Sequence, residues 1–172
     1  MAGPANRGPA NTGPGSTGAA NTGPAAGYSG TPLHRKLGIK PGDAVAVLGA
    51  PPGFAAHLAA LSGADVADGL PGTGPLDVIV TFVPWREELE TQLPGLRSRM
   101  APACGLWIAW PKRAAKVPTD MTEQVVREVA LPTGLVDNKV CAIDQVWSGL
   151  RLVIRRELRR RLAEEGAAVE DA

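Results

Sequence analysis

The sequence is poor in the residues that build metal sites and disulfide frameworks, with two cysteines and two histidines among 172 residues. Cys104 and Cys141 lie far apart and form no Cys-x-x-Cys motif, so neither a disulfide framework nor a zinc site is indicated. His34 and His57 add no cluster of ligands. The sequence therefore predicts a protein without a bound metal ion.

An excess of charge of one sign is also lacking, because the formal net charge is +1. This balance predicts no general attraction to nucleic acid or to an anionic membrane. No apolar run approaches the roughly 20 residues of a membrane-spanning helix, and the N-terminus lacks the apolar segment of a secretory signal. A cytoplasmic protein is expected. With 44% hydrophobic residues, the chain is long enough for one domain with a core of its own.

Large apolar side chains are nearly missing from residues 1–27, which are rich in Gly, Pro, Ala and Asn. The strings Gly-Pro-Ala-Asn and Asn-Thr-Gly-Pro each recur in this segment. Because it has almost nothing to bury, chain entropy predicts a disordered arm. The arm is a spacer or weak docking tail or, as we favour, a solvated segment without specific contacts. Two further segments follow, an α/β domain over residues 28–157 and a charged C-terminal helix and tail over residues 158–172.

Six apolar runs predict β-strands, because continuous runs with Val and Ile are typical of strands buried on both faces. They cover residues 44–48, 65–67, 77–83, 105–110, 139–143 and 150–154. Apolar residues at helical spacing predict the helices. The helices cover residues 33–37, 54–61, 86–100, 120–130 and 157–165.

Local signals predict where some of these helices begin or break. Thr31 is the expected N-cap of the first helix, ahead of Pro32 at its first position. Asp120 and Glu123 have the spacing of a capping box. Pro94 falls inside a helical pattern and predicts a kink or a break near Leu93.

The pattern also predicts which side chains are buried. Leu61 is expected on the buried side of the second helix, and the terminal helix has little apolar face. Trp107 and Trp110 are expected on opposite faces of one strand, buried against helices rather than stacked on a ligand. Cys141 is expected to be a buried, inert thiol.

The order of these elements predicts a single Rossmann-like α/β domain with a mostly parallel sheet. The last two strands are joined by the short segment 144–149, which ends in Gly, so they are expected to form an antiparallel hairpin. The fold class is therefore α/β, with a C-terminal antiparallel hairpin and a disordered N-terminal arm.

Two resemblances to known families support this fold. Residues 37–49 resemble the beginning of a class I S-adenosylmethionine-dependent methyltransferase domain, residues 102–108 resemble its later Pro-Gly-Gly turn and strand, and the final hairpin is similar to its closing strands. A closer resemblance is to an uncharacterised, chiefly actinobacterial family of small proteins of unknown function, which implies a fold and no established activity. The segments that carry it are 28–33, 110–112, 134–137, 139–141 and 147–150.

The methyltransferase resemblance implies S-adenosylmethionine as a cofactor, with Gly49 and Gly53 as the first and third glycines of the binding loop. Pro51 stands where the middle glycine is expected, and its ring fills the space and removes an N–H donor. Pro52 stiffens the loop further. Asp68 lies about 20 residues beyond the strand, where an acidic residue binds ribose in nucleotide-binding folds. The prolines predict that this loop does not bind a cofactor.

Motifs of catalysis are missing as well. The sequence contains no Gly-x-Ser-x-Gly elbow and no P-loop lysine motif. Glu87–Glu88 and Glu164–Glu165 are paired carboxylates on faces expected to be solvated, and Ser148 is explained by turn chemistry. No catalytic residue is therefore predicted.

Proline-bearing loops follow three strands at their carboxyl ends, where parallel α/β sheets bind ligands. The residues are Pro51 and Pro52, then Trp85 and Arg86, then Lys112 and Arg113, with Lys116 close behind. They form either a preorganised rim for an unknown protein partner or an anionic small molecule, or, as we favour, plain strand ends whose cations keep the edge soluble.

A second basic segment, residues 151–161, contains six arginines and one glutamate. Arg151 and Arg155 are expected on one strand face. Nucleic-acid binding normally uses a wider basic surface with interleaved aromatic residues, so a solvated helix paired with its own acidic end is favoured.

Two functions remain open from the sequence. The first is a non-catalytic interaction or regulatory module on a degenerate methyltransferase-like scaffold. The second is an S-adenosylmethionine-dependent methyltransferase that acts on a small or anionic substrate. Since fold alone does not choose between them, the altered loop and the missing catalytic set favour the first.

Overall fold

The computed structural model of the chain describes residues 30–170, with side chains as far as residue 168. The predicted arm over residues 1–27, with Tyr28, lies outside the described residues. The elements are α1 (Leu33–Lys36), β1 (Ala44–Leu48), α2 (Phe54–Ser62), β2 (Asp65–Asp68), β3 (Leu76–Phe82), α3 (Arg86–Ser98), β4 (Met100–Pro111), α4 (Glu123–Ala130), β5 (Leu135–Ala142), β6 (Trp147–Ile154) and α5 (Arg156–Glu170).

The strands form one six-stranded sheet in the order β2-β1-β3-β4-β6-β5. The first four are parallel, and β6 runs antiparallel to both β4 and β5. The predicted α/β fold with a mostly parallel sheet and a closing hairpin is confirmed. The strand order reverses between β1 and β3, and such a reversal marks the crevice where α/β sheets bind ligands. Because β5 is parallel to β4, its carboxyl end lies on the same edge of the sheet.

Helices cover both faces of the sheet. One hydrophobic cluster contains residues of α3 and α4 together with Trp110, and Leu158 and Leu162 of α5 pack against it. The other cluster contains Leu37 and Leu58 together with Trp107. The two tryptophans are therefore buried on opposite faces, as predicted. Trp107 also donates a hydrogen bond from its Nε1 to the carbonyl oxygen of Leu37 at 3.0 Å, which satisfies its only polar atom.

The helix caps differ from the sequence prediction. The N-cap of α1 is Pro32 rather than Thr31. The N-cap of α4 is Thr122, whose hydroxyl accepts a hydrogen bond from the N–H of Val125. Asp120 is not part of a capping box, because its carboxylate accepts the N–H of Arg86 at 2.7 Å. The contact of Asp120 with the N–H of Arg86 thus replaces the predicted local contact at the start of α4.

Helix α3 continues without a break from Arg86 to Ser98, although Pro94 lies inside it. Of the two outcomes predicted near Leu93, a kink or a break, the break does not occur. Leu89, Leu93 and Leu96 are at most 1% exposed, and their burial against the sheet holds the helix together across the missing hydrogen bond.

Four burial and boundary predictions also need correction. Leu61 is 48% exposed, because the buried end of α2 is made by Ser62, which donates a hydrogen bond to the carbonyl oxygen of Leu58. Cys141 is only partly buried, since it lies near the end of an edge strand. Helix α5 does have an apolar stripe, formed by Leu158 and Leu162 at a spacing of one helical turn. Arg155 lies beyond the end of β6 and does not share a strand face with Arg151.

Candidate functional site

The loop after β1 lies where the strand order of the sheet reverses, and Gly49 fixes the position of this loop against the end of β3. Gly49 has a φ of +64°, and a Cβ built on it would lie 2.8 Å from the carbonyl oxygen of Phe82. Only glycine therefore lets the carboxyl ends of β1 and β3 approach so closely. Gly53 also has a positive φ, of +82°, but a Cβ there meets open space. The two predicted loop glycines thus have different roles, one in packing and one in the turn that begins α2.

The same loop lines a cavity of about 590 Å³. This volume is in the range of small-molecule sites, about 300–1,000 Å³. The cavity brings together four of the residues singled out from the sequence: Pro51, Pro52, Gly53 and Asp68. The rest of the lining that is described is apolar, from Ala and Val side chains. Asp68 is therefore the one ionisable side chain among the described lining residues.

Strand pairing places Asp68 at the cavity. β2 ends at Asp68, which is the register partner of Val47 in β1, and the N–H of Gly69 donates a hydrogen bond to the carbonyl oxygen of Val47 at 2.7 Å. The carboxylate is exposed beside the loop. At this position the Asp68 carboxylate can accept a hydrogen bond from a ligand hydroxyl, as an acidic residue does in nucleotide-binding folds.

The loop itself offers few hydrogen-bond donors. Pro51 and Pro52 have no N–H. The N–H of Phe54 is already bonded to the carbonyl oxygen of Pro51 at 3.2 Å, and that of His57 to Gly53 at 3.0 Å. Binding sites for phosphate or carboxylate at the start of a helix depend on free N–H groups. Of the four residues 51–54, three therefore have no N–H free for a charged ligand group.

An aromatic cluster packs next to the loop after β1. The rings of Phe54 and Phe82 meet edge to face with centroids 5.0 Å apart. The rings of Phe82 and Trp147 meet in the same way, also at 5.0 Å. Phe82 thus contacts Gly49 through its backbone and both aromatic neighbours through its ring, which fixes the loop on a rigid base.

Trp85, the predicted rim residue that follows β3, is not among the described residues that line the cavity beside Asp68. Trp85 is 42% exposed and lines a separate cavity of about 350 Å³ together with Glu87 and Glu88 of α3. The described lining of this cavity therefore includes two carboxylates and no cation.

Two of the predicted rim cations already have partners within the chain. Arg86 forms ion pairs with Glu90 and Glu128, both at 2.8 Å, and hydrogen bonds to these carboxylates raise the pKa of its guanidinium. Lys112 donates from Nζ to the carbonyl oxygen of Asp144 at 2.7 Å. Arg113 and Lys116 are exposed. The partners Glu128 and Asp144 lie more than thirty residues from the cations they bind, so no local sequence signal identifies them.

Neither cysteine has the environment of a nucleophile. Burial raises the pKa of the Cys104 thiol to about 12, and burial also raises the pKa of Cys141. Both thiols are therefore protonated near neutral pH. Among the described residues, no three His, Cys, Asp or Glu side chains are grouped so as to hold a metal ion. No helix within residues 30–170 is long and apolar enough to cross a membrane.

Comparison with solved structures identifies the fold. The chain superposes on a SAM-dependent methyltransferase from Aquifex aeolicus with a TM-score of 0.57 and 18% identity, over 72% of this chain and 88% of the other. The fold is methyltransferase-like. Magnesium protoporphyrin IX methyltransferase from Synechocystis PCC 6803 gives a TM-score of 0.53 at 14% identity, over 72% of this chain and 74% of that enzyme.

A third methyltransferase, ribosomal protein L11 methylase from Lactobacillus delbrueckii subsp. bulgaricus, gives a TM-score of 0.52 at 16% identity, with 72% and 75% of the two chains covered. No protein-family model matches the sequence, and no curated protein matches it significantly. At these identities the likeness establishes the fold and not the activity. The resemblance to an uncharacterised actinobacterial family stays a prediction.

Proposed function

We propose that the chain is a non-catalytic interaction or regulatory module built on a degenerate methyltransferase-like scaffold. The observation that carries this proposal is the lack of free N–H groups at residues 51, 52 and 54 of the loop at the strand reversal. Pro51 and Pro52 remove two N–H groups from it, and the N–H of Phe54 is bonded internally. A cofactor with charged groups finds little to bind there, so the loop serves better as a rigid surface for a partner.

The proposed partner surface is the carboxyl edge of the parallel strands. Pro51 and Pro52 are exposed in a fixed conformation, which lowers the entropy lost on binding. Trp85 is a large exposed aromatic side chain of the kind that anchors interfaces. Lys112 and Arg113 supply positive charge, so an unknown protein or an anionic small molecule is the partner class we propose. A cytoplasmic location is part of the same proposal and is supported by the composition.

A second function, S-adenosylmethionine-dependent methyl transfer to a small or anionic substrate, is favoured by one specific observation. Asp68 and Gly53 line a single cavity of about 590 Å³ at the strand reversal. An acidic residue at that position in a nucleotide-binding sheet accepts hydrogen bonds from ribose hydroxyls. The cavity therefore retains one part of a cofactor site while the loop lacks another.

Calorimetric titration of the protein with S-adenosylmethionine and S-adenosylhomocysteine distinguishes the two functions. We expect no binding of either compound at submillimolar concentration. The matched variant is Asp68→Asn, which removes the charge of the one ionisable residue among the described cavity residues and keeps its size. Submillimolar binding to the wild type that is lost in Asp68→Asn would establish the cofactor site and favour the methyltransferase.

A further inference from the structure

A third cavity, of about 330 Å³, lies where α1 meets the end of β5. Its polar lining comes from Thr31, Arg35 and Lys36 on one side and from Lys139 and Cys141 on the other. Three of these side chains are cations, and none of the described lining residues carries a carboxylate. The described lining of this cavity therefore carries three cations, although the whole chain is nearly neutral.

Tertiary contacts fix the two walls of this cavity relative to each other. Lys139 donates from Nζ to the carbonyl oxygen of Lys36 at 3.1 Å, across 103 residues of chain. Trp107, buried in the sheet, donates to the carbonyl oxygen of the next residue, Leu37. The backbone of the short helix α1 is thus attached to both β4 and β5, which holds this helix beside Lys139. Such preorganisation reduces the ordering that a ligand must cause.

Burial raises the pKa of the Cys141 thiol, whereas Lys36 and Lys139 of the cavity act to lower it, as does Lys112 outside the described lining. The carboxylate that follows in the chain, Asp144, accepts hydrogen bonds from the N–H groups of Val146 and Trp147. That carboxylate is therefore committed to the turn between β5 and β6.

We propose that the cavity between α1 and β5 is a binding site for an anionic group, either a phosphate or a carboxylate. Arg35 presents a planar set of donors that suits two oxygens of one anion, and Lys36 and Lys139 add point charges. The hydroxyl of Thr31 adds a neutral donor. The site lies at β5, near the far edge of the sheet from the cavity beside Asp68, and its existence does not depend on the function proposed above.

Alkylation of Cys141 measures the field in this cavity. Iodoacetate, an anion, and iodoacetamide, which is neutral, react with the same thiolate. The rate with iodoacetate divided by the rate with iodoacetamide is therefore independent of the pKa of the thiol and reports the local charge. We expect this ratio to exceed that of N-acetylcysteinamide, an uncharged thiol, by about threefold for each nearby cation. Cys104 is fully buried with a pKa of about 12 and serves as the internal thiol that does not react.

Matched variants test which charges matter. Lys36→Gln and Lys139→Gln each remove one of the cavity cations that act on Cys141, and each should lower the rate ratio about threefold. Arg161→Gln removes the same charge from an exposed position on α5, which packs on the opposite face of the sheet. The ratio in Arg161→Gln should equal that of the wild type. A wild-type ratio equal to that of the uncharged thiol overturns the proposal.

Binding itself is measured with inorganic phosphate and with succinate, which separate the two anion chemistries. One or both should slow the alkylation of Cys141 with the neutral reagent, where sodium chloride of equal ionic strength does not. The ³¹P line of inorganic phosphate, or the ¹H line of succinate, should broaden with the wild type and not with the variant Arg35→Gln/Lys139→Gln. Equal effects of both anions and of chloride, or equal line widths with wild type and variant, overturn the site.

Discussion

The carboxylate of Asp120 accepts a hydrogen bond from the backbone N–H of Arg86 at 2.7 Å, across 34 residues of chain. The first N–H groups of a helix have no partner within it, so Asp120 caps α3 from outside. Arg86 in turn pairs with Glu128 of α4. The segment before α4 and the first turn of α3 therefore stabilise each other.

Replacing Asp120 with Ala should lower the free energy of unfolding by about 1 kcal/mol, the usual effect of losing a capping side chain. Asp120→Asn keeps an acceptor oxygen and should recover most of that loss. Urea denaturation of the three proteins measures the difference. If Asp120→Ala is as stable as the wild type, the contact with Arg86 does not contribute to folding.

Gly49 and Gly53 provide a matched pair for the loop after β1. Gly53→Ala should cost about 1 kcal/mol, because only the left-handed backbone is unfavourable there. Gly49→Ala adds a clash with the carbonyl oxygen of Phe82 at 2.8 Å, so it should cost at least about 2 kcal/mol. Thermal and urea unfolding compare the two variants. Equal losses would show that the close approach of β1 and β3 is easily relaxed.

Pro51→Gly tests whether the proline alone prevents cofactor binding. The variant should be less stable by about 0.4–1 kcal/mol, because glycine gives the unfolded chain more freedom. Calorimetry with S-adenosylmethionine should still show no tight binding, since the N–H of Phe54 remains bonded to residue 51. Micromolar affinity in this variant would instead identify the proline as the whole obstacle.

Much of the fold could be read from the sequence because buried strands leave continuous apolar runs. The parallel strands β1 and β3 and the closing hairpin were identified in this way. The caps were not, because Asp120 has a nearby glutamate at capping-box spacing but binds a backbone group far away in the chain. Sequence spacing shows which nearby N–H groups a side chain can bind, but it cannot show that an N–H far away in the chain is bound instead.

The candidate sites could likewise be predicted only in part from the sequence. Gly53 and Asp68 could be predicted to share a cavity, because the carboxyl ends of neighbouring parallel strands meet at one edge. The positive cavity could not, since Arg35 and Lys139 are separated by most of the domain and neither belongs to a motif. Trp85 was predicted on the rim together with Arg86, and the structure adds that it lines a cavity with Glu87 and Glu88.

Alkaline pH should destabilise the protein through Cys104. Its pKa is raised from 9.0 in a free thiol to about 12 in the fold, chiefly by burial. Between these values the unfolded thiol ionises and the folded one does not, so the free energy of unfolding falls by about 1.4 kcal/mol per pH unit. Below about pH 9 both forms are protonated and this effect vanishes. Urea denaturation from pH 7 to 10.5 should show a flatter profile for Cys104→Ala; identical slopes would contradict the assignment.

The proposed partner surface is tested by reversing charge at the carboxyl end of β4. Lys112→Glu with Arg113→Glu should leave the melting temperature nearly unchanged, because Arg113 is exposed and the hydrogen bond from the Lys112 side chain to Asp144 is exposed as well. The matched control is Arg160→Glu with Arg161→Glu, two exposed positions on α5. In affinity capture from the source cell, the β4 variant should lose partners that the wild type and the α5 control both retain. Retention of the same partners by all three proteins would show that these cations only keep the edge of the sheet soluble.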